Sequence, residues 1–209
     1  MCIRDRNDAT QLYIAVTEQQ AYRIHTKEHA IAARPNIKML SIPANLSGIQ
    51  IAPMPSLPFV PEISHGTATF EHVDIQTEQI LAGDGYTQYV KPFRTHEDIH
   101  VLAAVIGFRI GEALNSNWSQ SNIEAHLMLL SSLLSLDTNN LTDPTAHIIF
   151  AGCRAQFKDL IQRTDDEFKR NNPKGFSDWK RDKALLDIAS KAHKVRTERA
   201  WSNLSNSFN

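Results

Sequence analysis

The stretch from Leu81 to Val101 holds the residues best suited to chemistry. It contains a glycine turn, an aromatic residue and then a dense group of ionisable side chains. In chain order these residues are Gly83, Gly85, Tyr86, Lys91, Arg94, His96, Glu97, Asp98 and His100. Carboxylates and imidazoles exchange protons or bind metals, whereas lysine and arginine hold anionic ligands. Because these groups lie where a β-like pattern gives way to a helical one, the stretch predicts a functional site.

One interpretation of this stretch is a zinc-dependent hydrolase. The residues His96 to His100 match the motif H-E-x-x-H, in which two histidines share a helix face and the glutamate, here Glu97, is the general base. Glu124, on the next predicted helix, is the candidate third ligand. The alternative is that His96 and His100 only pack or hydrogen-bond where two domains meet.

Composition limits the remaining possibilities. The chain has 209 residues, 42% hydrophobic, which is enough for a real core. A net charge of −1 gives no electrostatic reason to expect nucleic acid or an anionic membrane as a partner. No apolar run approaches the roughly 20 residues of a membrane span.

Both cysteines are informative. The first six residues, MCIRDR, resemble a translated sequencing adapter, so residues 1–6 are left out of fold reasoning. If Cys2 belongs to that scar, Cys153 is alone, which predicts no internal disulfide and a reducing, cytoplasmic setting. The apolar sequence around Cys153 predicts a buried structural thiol.

The residues before the junction have a β-like pattern. Leu12, Ile14 and Val16 alternate with polar residues, and the segments IKMLSI, IQIA and TATFEHVDI repeat the pattern. Four prolines between residues 53 and 61 predict a stiff, extended surface loop. This half is therefore expected to form part of an antiparallel sheet or barrel.

From Phe93 onward the hydrophobic period is helical, and four helices are predicted. Their approximate ranges are 95–114, 121–136, 143–169 and 177–201. Asp143 is expected to cap the third helix with Pro144 at its first position, and Ser177 to cap the last. The predicted fold class is α+β, a partial antiparallel sheet or barrel followed by an antiparallel four-helix bundle.

A series of short segments between residues 10 and 115 follows the order of elements in one enzyme family. The segments QLYIAVTEQQ, MLSIPANLSGIQIAPMP, HGTATFEHVDIQTEQILAGDGY and VLAAVIGFRIGEAL occur in turn. The third carries Phe70, Val73, Ile75, Leu81, Gly83, Gly85 and Tyr86. Together they resemble the acyl-CoA dehydrogenases, from the middle β-domain to the first C-terminal helix. The resemblance implies part of a middle β-domain at 7–86, a C-terminal helical domain at 87–203 and a frayed tail at 204–209.

The resemblance implies a flavin enzyme. In that family a carboxylate removes a proton from the α-carbon of an acyl-CoA thioester, and the β-hydride passes to FAD. Some members carry that glutamate on the first C-terminal helix, which makes Glu97 the implied base and Arg94 and Lys91 the implied substrate contacts. Alternatively, Glu97 is a first-turn carboxylate that complements the helix dipole, and the two cations form a solvated ion-pair cluster with Glu97 and Asp98.

The resemblance also implies partners. These are an acyl-CoA substrate, an electron-accepting flavoprotein and further copies of the chain in a homodimer or homotetramer. Gly83, Gly85 and Tyr86 are expected to form a structural turn, with both glycines left-handed. The chain is expected to be an inactive fragment of a longer protein. A third hypothesis is a non-catalytic module that mediates assembly.

Overall fold

The computed structural model describes residues 2–4, 9–18, 36–136, 143–188 and 190–206. The chain divides into two compact units. The β unit comprises Met1–Leu57 and Pro61–Phe93, and the helical unit comprises Pro58–Val60 and Arg94–Asn209. None of the described helices is long and apolar enough to cross a membrane.

The part of the β unit that the structure describes forms two small antiparallel sheets. The strands are β1 (Cys2–Arg4), β2 (Gln11–Thr17), β3 (Ile37–Pro43), β4 (Ile49–Pro53) and β5 (His65–Phe70). One sheet has the order β1-β5-β4, and the other pairs β2 with β3. The strand β1 pairs with β5, although it lies within the residues assigned to an adapter. The origin of that segment stays a prediction.

The core of the β unit follows from the alternation seen in the sequence. Leu12 lies opposite Ile42 and Ile14 opposite Leu40, and all four side chains are buried. Successive side chains of a strand point to opposite faces, so one apolar face on each strand is enough to form this cluster. The predicted strand is confirmed, with Val16 half-buried at its end.

Within its described residues, the helical unit contains five helices. They are α1 (Lys91–Asn115, entering the unit at Arg94), α2 (Gln120–Leu134), α3 (Pro144–Asn171), α4 (Pro173–Asp182) and α5 (Ser190–Asn206). Asp143 caps α3 by accepting from the Thr145 N–H, as predicted, and Pro144 is the first helical residue. The α+β fold class is confirmed.

The last predicted helix is in fact two. Asn172 caps α4 by accepting from the Gly175 N–H, so this helix begins before Ser177, which is not its cap. A short 3-10 turn, Lys183–Asp187, then separates α4 from α5. Arg154 donates to the Leu186 carbonyl over 3.0 Å. In a continuous helix this carbonyl would instead accept from a backbone N–H of the following turn.

The main core of the helical unit lies between α1, α2 and α3. Ile99, Leu102 and Ile106 form the inward stripe of α1 and meet Leu133 of α2 and Phe157 of α3. Cys153 belongs to this core and is 5% exposed. Burial raises the pKa of its thiol, which agrees with the predicted structural role.

Candidate functional site

The glycine turn lies in the β unit and only partly matches the prediction. Gly83 has φ = 84°, the left-handed conformation that favours glycine. Gly85 has φ = −59° and is not left-handed. A Cβ at Gly85 would lie 2.7 Å from the Lys38 carbonyl carbon and 2.8 Å from the Met39 nitrogen, so glycine is needed there for close approach to β3. Tyr86 opens one turn of π-helix that leads into α1.

Glu97 and Arg94 form an ion pair on α1. Arg94 Nη1 lies 3.3 Å from Glu97 Oε2, and the two side chains are 65% and 21% exposed. The α-helix begins at Lys91, before the predicted start, because it continues directly from the π-helical turn Tyr86–Val90. Glu97 is therefore beyond the first turn, where the helix dipole acts, and the dipole interpretation is wrong. Lys91, the first residue of α1, is exposed and belongs to the β unit.

The two histidines of the H-E-x-x-H motif do not converge on a third ligand. His100 donates through Nδ1 to the His96 carbonyl at 2.8 Å, which fixes one ring nitrogen of the pair. Glu124 accepts instead from Gln120 at 2.7 Å. Within the part of the chain that the structure describes, no group of three or more His, Cys, Asp or Glu is arranged to hold a metal. The zinc hypothesis therefore gains no support from this geometry.

A polar centre that the sequence did not reveal lies beside Glu97. This Asp98 centre consists of Asp98 on α1, Arg154 on α3, and His193 and Arg196 on α5. Arg196 donates to the Asp98 carboxylate and, over 3.2 Å, to Thr95 Oγ1. Nε2 of His193 lies 3.5 Å from Asp98 Oδ1. These contacts attach one helical turn of α1, the turn that bears Glu97, to α5.

His193 is neutral in this centre. Its two ring nitrogens face guanidinium groups, Arg154 at 3.1 Å and Arg196 at 3.2 Å. Burial is the main cause that lowers the pKa of His193, to about 4. The charges of Arg154 and Arg196 lower this pKa further, whereas the charge of Asp98 raises it. A cavity of about 100 Å³ adjoins the centre and is lined by His193, Arg154 and Arg196, among others.

A second polar centre lies deeper in the helical unit. Arg109 of α1 is fully buried and donates to Asp165 over 2.9 Å, to Thr164 and to His126. This Arg109 centre is enclosed by three aromatic rings at 4.7–5.4 Å from the guanidinium carbon, those of Trp118, Phe168 and Trp179. Burial lowers the pKa of Arg109, and the charge of Asp165 opposes that shift.

The sequence carried a signal for one of these centres. Arg109 lies on the same helix stripe as Ile99, Leu102 and Ile106, so an arginine at an inward position was visible in the pattern. The Asp98 centre left no such signal, since its members come from α1, α3 and α5. Sequence analysis placed only one of its members, Asp98, in the candidate stretch.

No protein-family model matches the sequence, and no curated protein matches it either. Solved structures do match. The butyryl-CoA dehydrogenase from Megasphaera elsdenii has a TM-score of 0.65 at 10% identity, with 95% of this chain and 57% of that chain covered. The acyl-CoA dehydrogenase from Slackia heliotrinireducens has a TM-score of 0.61 at 11% identity, with 98% and 59% covered.

A third similar structure is that of the electron transferring flavoprotein of Acidaminococcus fermentans. Its TM-score is 0.65 at 11% identity, and the match covers 95% of this chain and 58% of that chain. The chain thus spans less than two thirds of each of these three structures. At this identity the likeness shows the fold, which is that of part of an acyl-CoA dehydrogenase.

Proposed function

We propose that this chain is the C-terminal part of a flavin-dependent oxidoreductase that introduces an α,β double bond into an acyl-CoA thioester. The observation that carries the proposal is the fold likeness to butyryl-CoA dehydrogenase over 95% of the chain. The proposal concerns the complete protein, and the fragment alone is expected to be inactive. The histidine pair that suggested a zinc hydrolase supports no second candidate, since the described residues place no further His, Cys, Asp or Glu with it to complete a metal site.

Glu97 is the proposed base that takes the α-proton. Its carboxylate is mostly shielded from solvent, and Arg94 is its partner at 3.3 Å. A carboxylate that takes a proton from a C–H bond must be held in one place against it, and the contact with Arg94 restricts the Glu97 side chain. The contacts of Asp98 to α5 hold the same helical turn in place.

Arg94 and Lys91 are the proposed contacts for the anionic parts of the substrate. The Arg94 guanidinium is largely exposed and donates one hydrogen bond to Glu97. Its other N–H groups can donate to a phosphate or a carbonyl oxygen. This donor set also fits the phosphates of FAD. When bound, the flavin supplies the hydride acceptor. The side chains of this chain orient the thioester and hold the α-proton.

The proposal includes the partners of the complete protein. It takes an acyl-CoA substrate, passes electrons to another flavoprotein, assembles as a homodimer or homotetramer and works in the cytoplasm. The similarity to a structure of an electron transferring flavoprotein supports the second of these points.

The decisive experiment uses the protein completed with its upstream reading frame. Visible absorption spectra are recorded before and after anaerobic addition of a short-chain or a medium-chain acyl-CoA. Flavin bands that bleach on addition are expected. A colourless protein would overturn the proposal, and zinc found by elemental analysis would favour the hydrolase hypothesis instead.

The role of Glu97 is tested in the same complete protein. Glu97→Gln should reduce turnover at least about a hundredfold, the usual contribution of a general base, with the flavin still bound. Glu198→Gln is the matched control, because Glu198 is an exposed glutamate on α5 whose nearest cation is Lys194 at 3.9 Å. Equal activity in the two variants would show that Glu97 is not the base.

A further inference from the structure

The helical unit contains a cavity of about 640 Å³, a volume in the usual range of small-molecule sites. Its walls are α3 on one side and, on the other, α4 with the 3-10 turn that follows it. Leu102 and Phe157, both buried, lie at its floor with the half-buried Ile161 and Leu186. Neither Glu97 nor Arg94 lines it, so the cavity is separate from the proposed catalytic residues.

The polar lining of this cavity is strongly cationic. Arg154, Lys158, Lys180 and Lys183 contribute positive charge, against one carboxylate from Asp187. Two of the cations have partners, since Arg154 bonds to His193 and Leu186 and Lys183 bonds to Asp165. The other two are exposed, which puts them at the mouth of the cavity.

Lys158 and Lys180 have no partner among the residues that the structure describes. Neither makes a hydrogen bond or an ion pair with them, although each lines an apolar space. Two ammonium groups above an apolar floor complement a molecule with an apolar body and an anionic head. We propose that this cavity binds an amphipathic organic anion, with the body against Phe157 and Leu102 and the head between Lys158 and Lys180.

The test is a fluorescence titration of the full chain with dansylaminoundecanoic acid, an amphipathic carboxylate, kept below its micelle concentration. Saturable binding with a rise in emission is expected. The methyl ester of the same probe lacks the charge and should bind about tenfold more weakly, the worth of two exposed ion pairs. Equal affinity of acid and ester would overturn the proposal.

Variants locate the site. Lys158→Met with Lys180→Met keeps the aliphatic stems, removes both charges and should weaken binding of the acid about tenfold. Lys169→Met with Lys174→Met is the matched control, because it removes one exposed lysine from each of the same two helices. Ala155→Trp places a large ring in the cavity from an exposed position and should abolish binding. Unchanged binding in the Lys158/Lys180 pair or in Ala155→Trp would overturn the proposal.

Competition identifies the head group. Displacement of the probe by decanoate indicates a carboxylate ligand, and displacement by decyl phosphate indicates a phosphate. Failure of both to displace it would overturn the proposal. The titration is repeated at two protein concentrations, because a second copy of the chain seated on the cavity would lower the probe affinity as concentration rises. That outcome would assign the cavity to self-association instead.

Discussion

The two polar centres of the helical unit contain similar residues and differ in their access to solvent. In the Arg109 centre every guanidinium nitrogen donates to a side chain, and aromatic rings cover the group. The Asp98 centre is also hydrogen-bonded, but its side chains keep 10–22% of their exposure and a cavity of about 100 Å³ adjoins it. The first resembles a core element, whereas the second can still respond to solution conditions.

This difference shows how buried charge should be interpreted. A buried arginine is not in itself evidence of a binding site, because aromatic rings that cover the group leave no donor that a ligand can reach. The Arg109 centre is therefore expected to govern stability alone. The Asp98 centre, next to Glu97, is expected to affect both stability and the geometry of the proposed base. Four substitutions test this contrast.

The largest effect is expected at Arg109. Arg109→Met removes the charge and takes one hydrogen-bond donor from each of His126, Thr164 and Asp165. Loss of one partner from a buried ion pair costs about 3–5 kcal/mol, and the lower end is expected because Asp165 keeps Lys183. Urea unfolding measures the change. Arg199→Met, an exposed arginine on α5, should cost less than about 0.5 kcal/mol, and equal losses would contradict the contrast.

The second effect is a dependence of stability on pH at His193. Its pKa is about 4 in the folded chain and near 6.5 in the unfolded chain, so the unfolded state binds the proton more readily. Stability from neutral His193 is fully present above pH 6.5 and is lost as the pH falls towards 4. The loss should reach about 1–3 kcal/mol.

His193→Gln should flatten this dependence in urea unfolding curves collected across the window. His126, whose pKa is also lowered by burial, remains and should leave a residual slope. A parent chain equally stable at both ends of the window would refute the assignment.

A smaller loss is expected for Asp98→Asn. The substitution keeps an acceptor for Arg196 but leaves Arg154 and Arg196 without the neighbouring carboxylate. About 1–2 kcal/mol of stability should be lost, the worth of a partly screened charge-assisted hydrogen bond. Thermal and urea unfolding measure it. Asp178→Asn, an exposed aspartate on α4, is the control, and the prediction fails if both variants match the parent chain.

The smallest effect concerns the edge of the Arg109 centre. Glu167 of α3 accepts from the Ser119 N–H at 2.6 Å and from the Asn122 side-chain amide, and so holds the start of α2 against α3. Glu167→Ala should cost about 1 kcal/mol, the usual net worth of such hydrogen bonds. Asp166→Ala, at the adjacent exposed position, should be neutral. Equal unfolding midpoints for the two variants would show that these hydrogen bonds contribute nothing.

Much of the fold was predictable from local patterns. Alternation predicted the strand with Leu12 and Ile14, and Asp143 with Pro144 marked the start of α3. The start of α1 was misplaced, because the helical hydrophobic period becomes visible only from Phe93, whereas α1 continues from the π-helical turn Tyr86–Val90 and begins at Lys91. The division of the last helix was missed, because the hydrogen bond from Arg154 to the Leu186 carbonyl joins residues far apart in the sequence and no local pattern indicates it.

The candidate site was less predictable. The ion pair of Arg94 and Glu97 joins residues three apart on one helix, a spacing that sequence analysis detects. The contact of Asp98 with His193 and Arg196 depends on how α1 and α5 pack, which no local pattern encodes. The role of Gly85 was misjudged for the same reason, because only the position of β3 shows that a side chain would not fit.

Because Cys153 is buried, its rate of reaction with a thiol reagent can measure how often the helical unit opens transiently. A thiol reagent cannot reach this side chain while the surrounding helices are packed, so labelling requires a transient separation of α3 from its neighbours. With Cys2 replaced by serine, the labelling rate at Cys153 would report how often that separation occurs. Under fast reclosing the rate gives the opening equilibrium, and under slow reclosing it gives the opening rate constant itself.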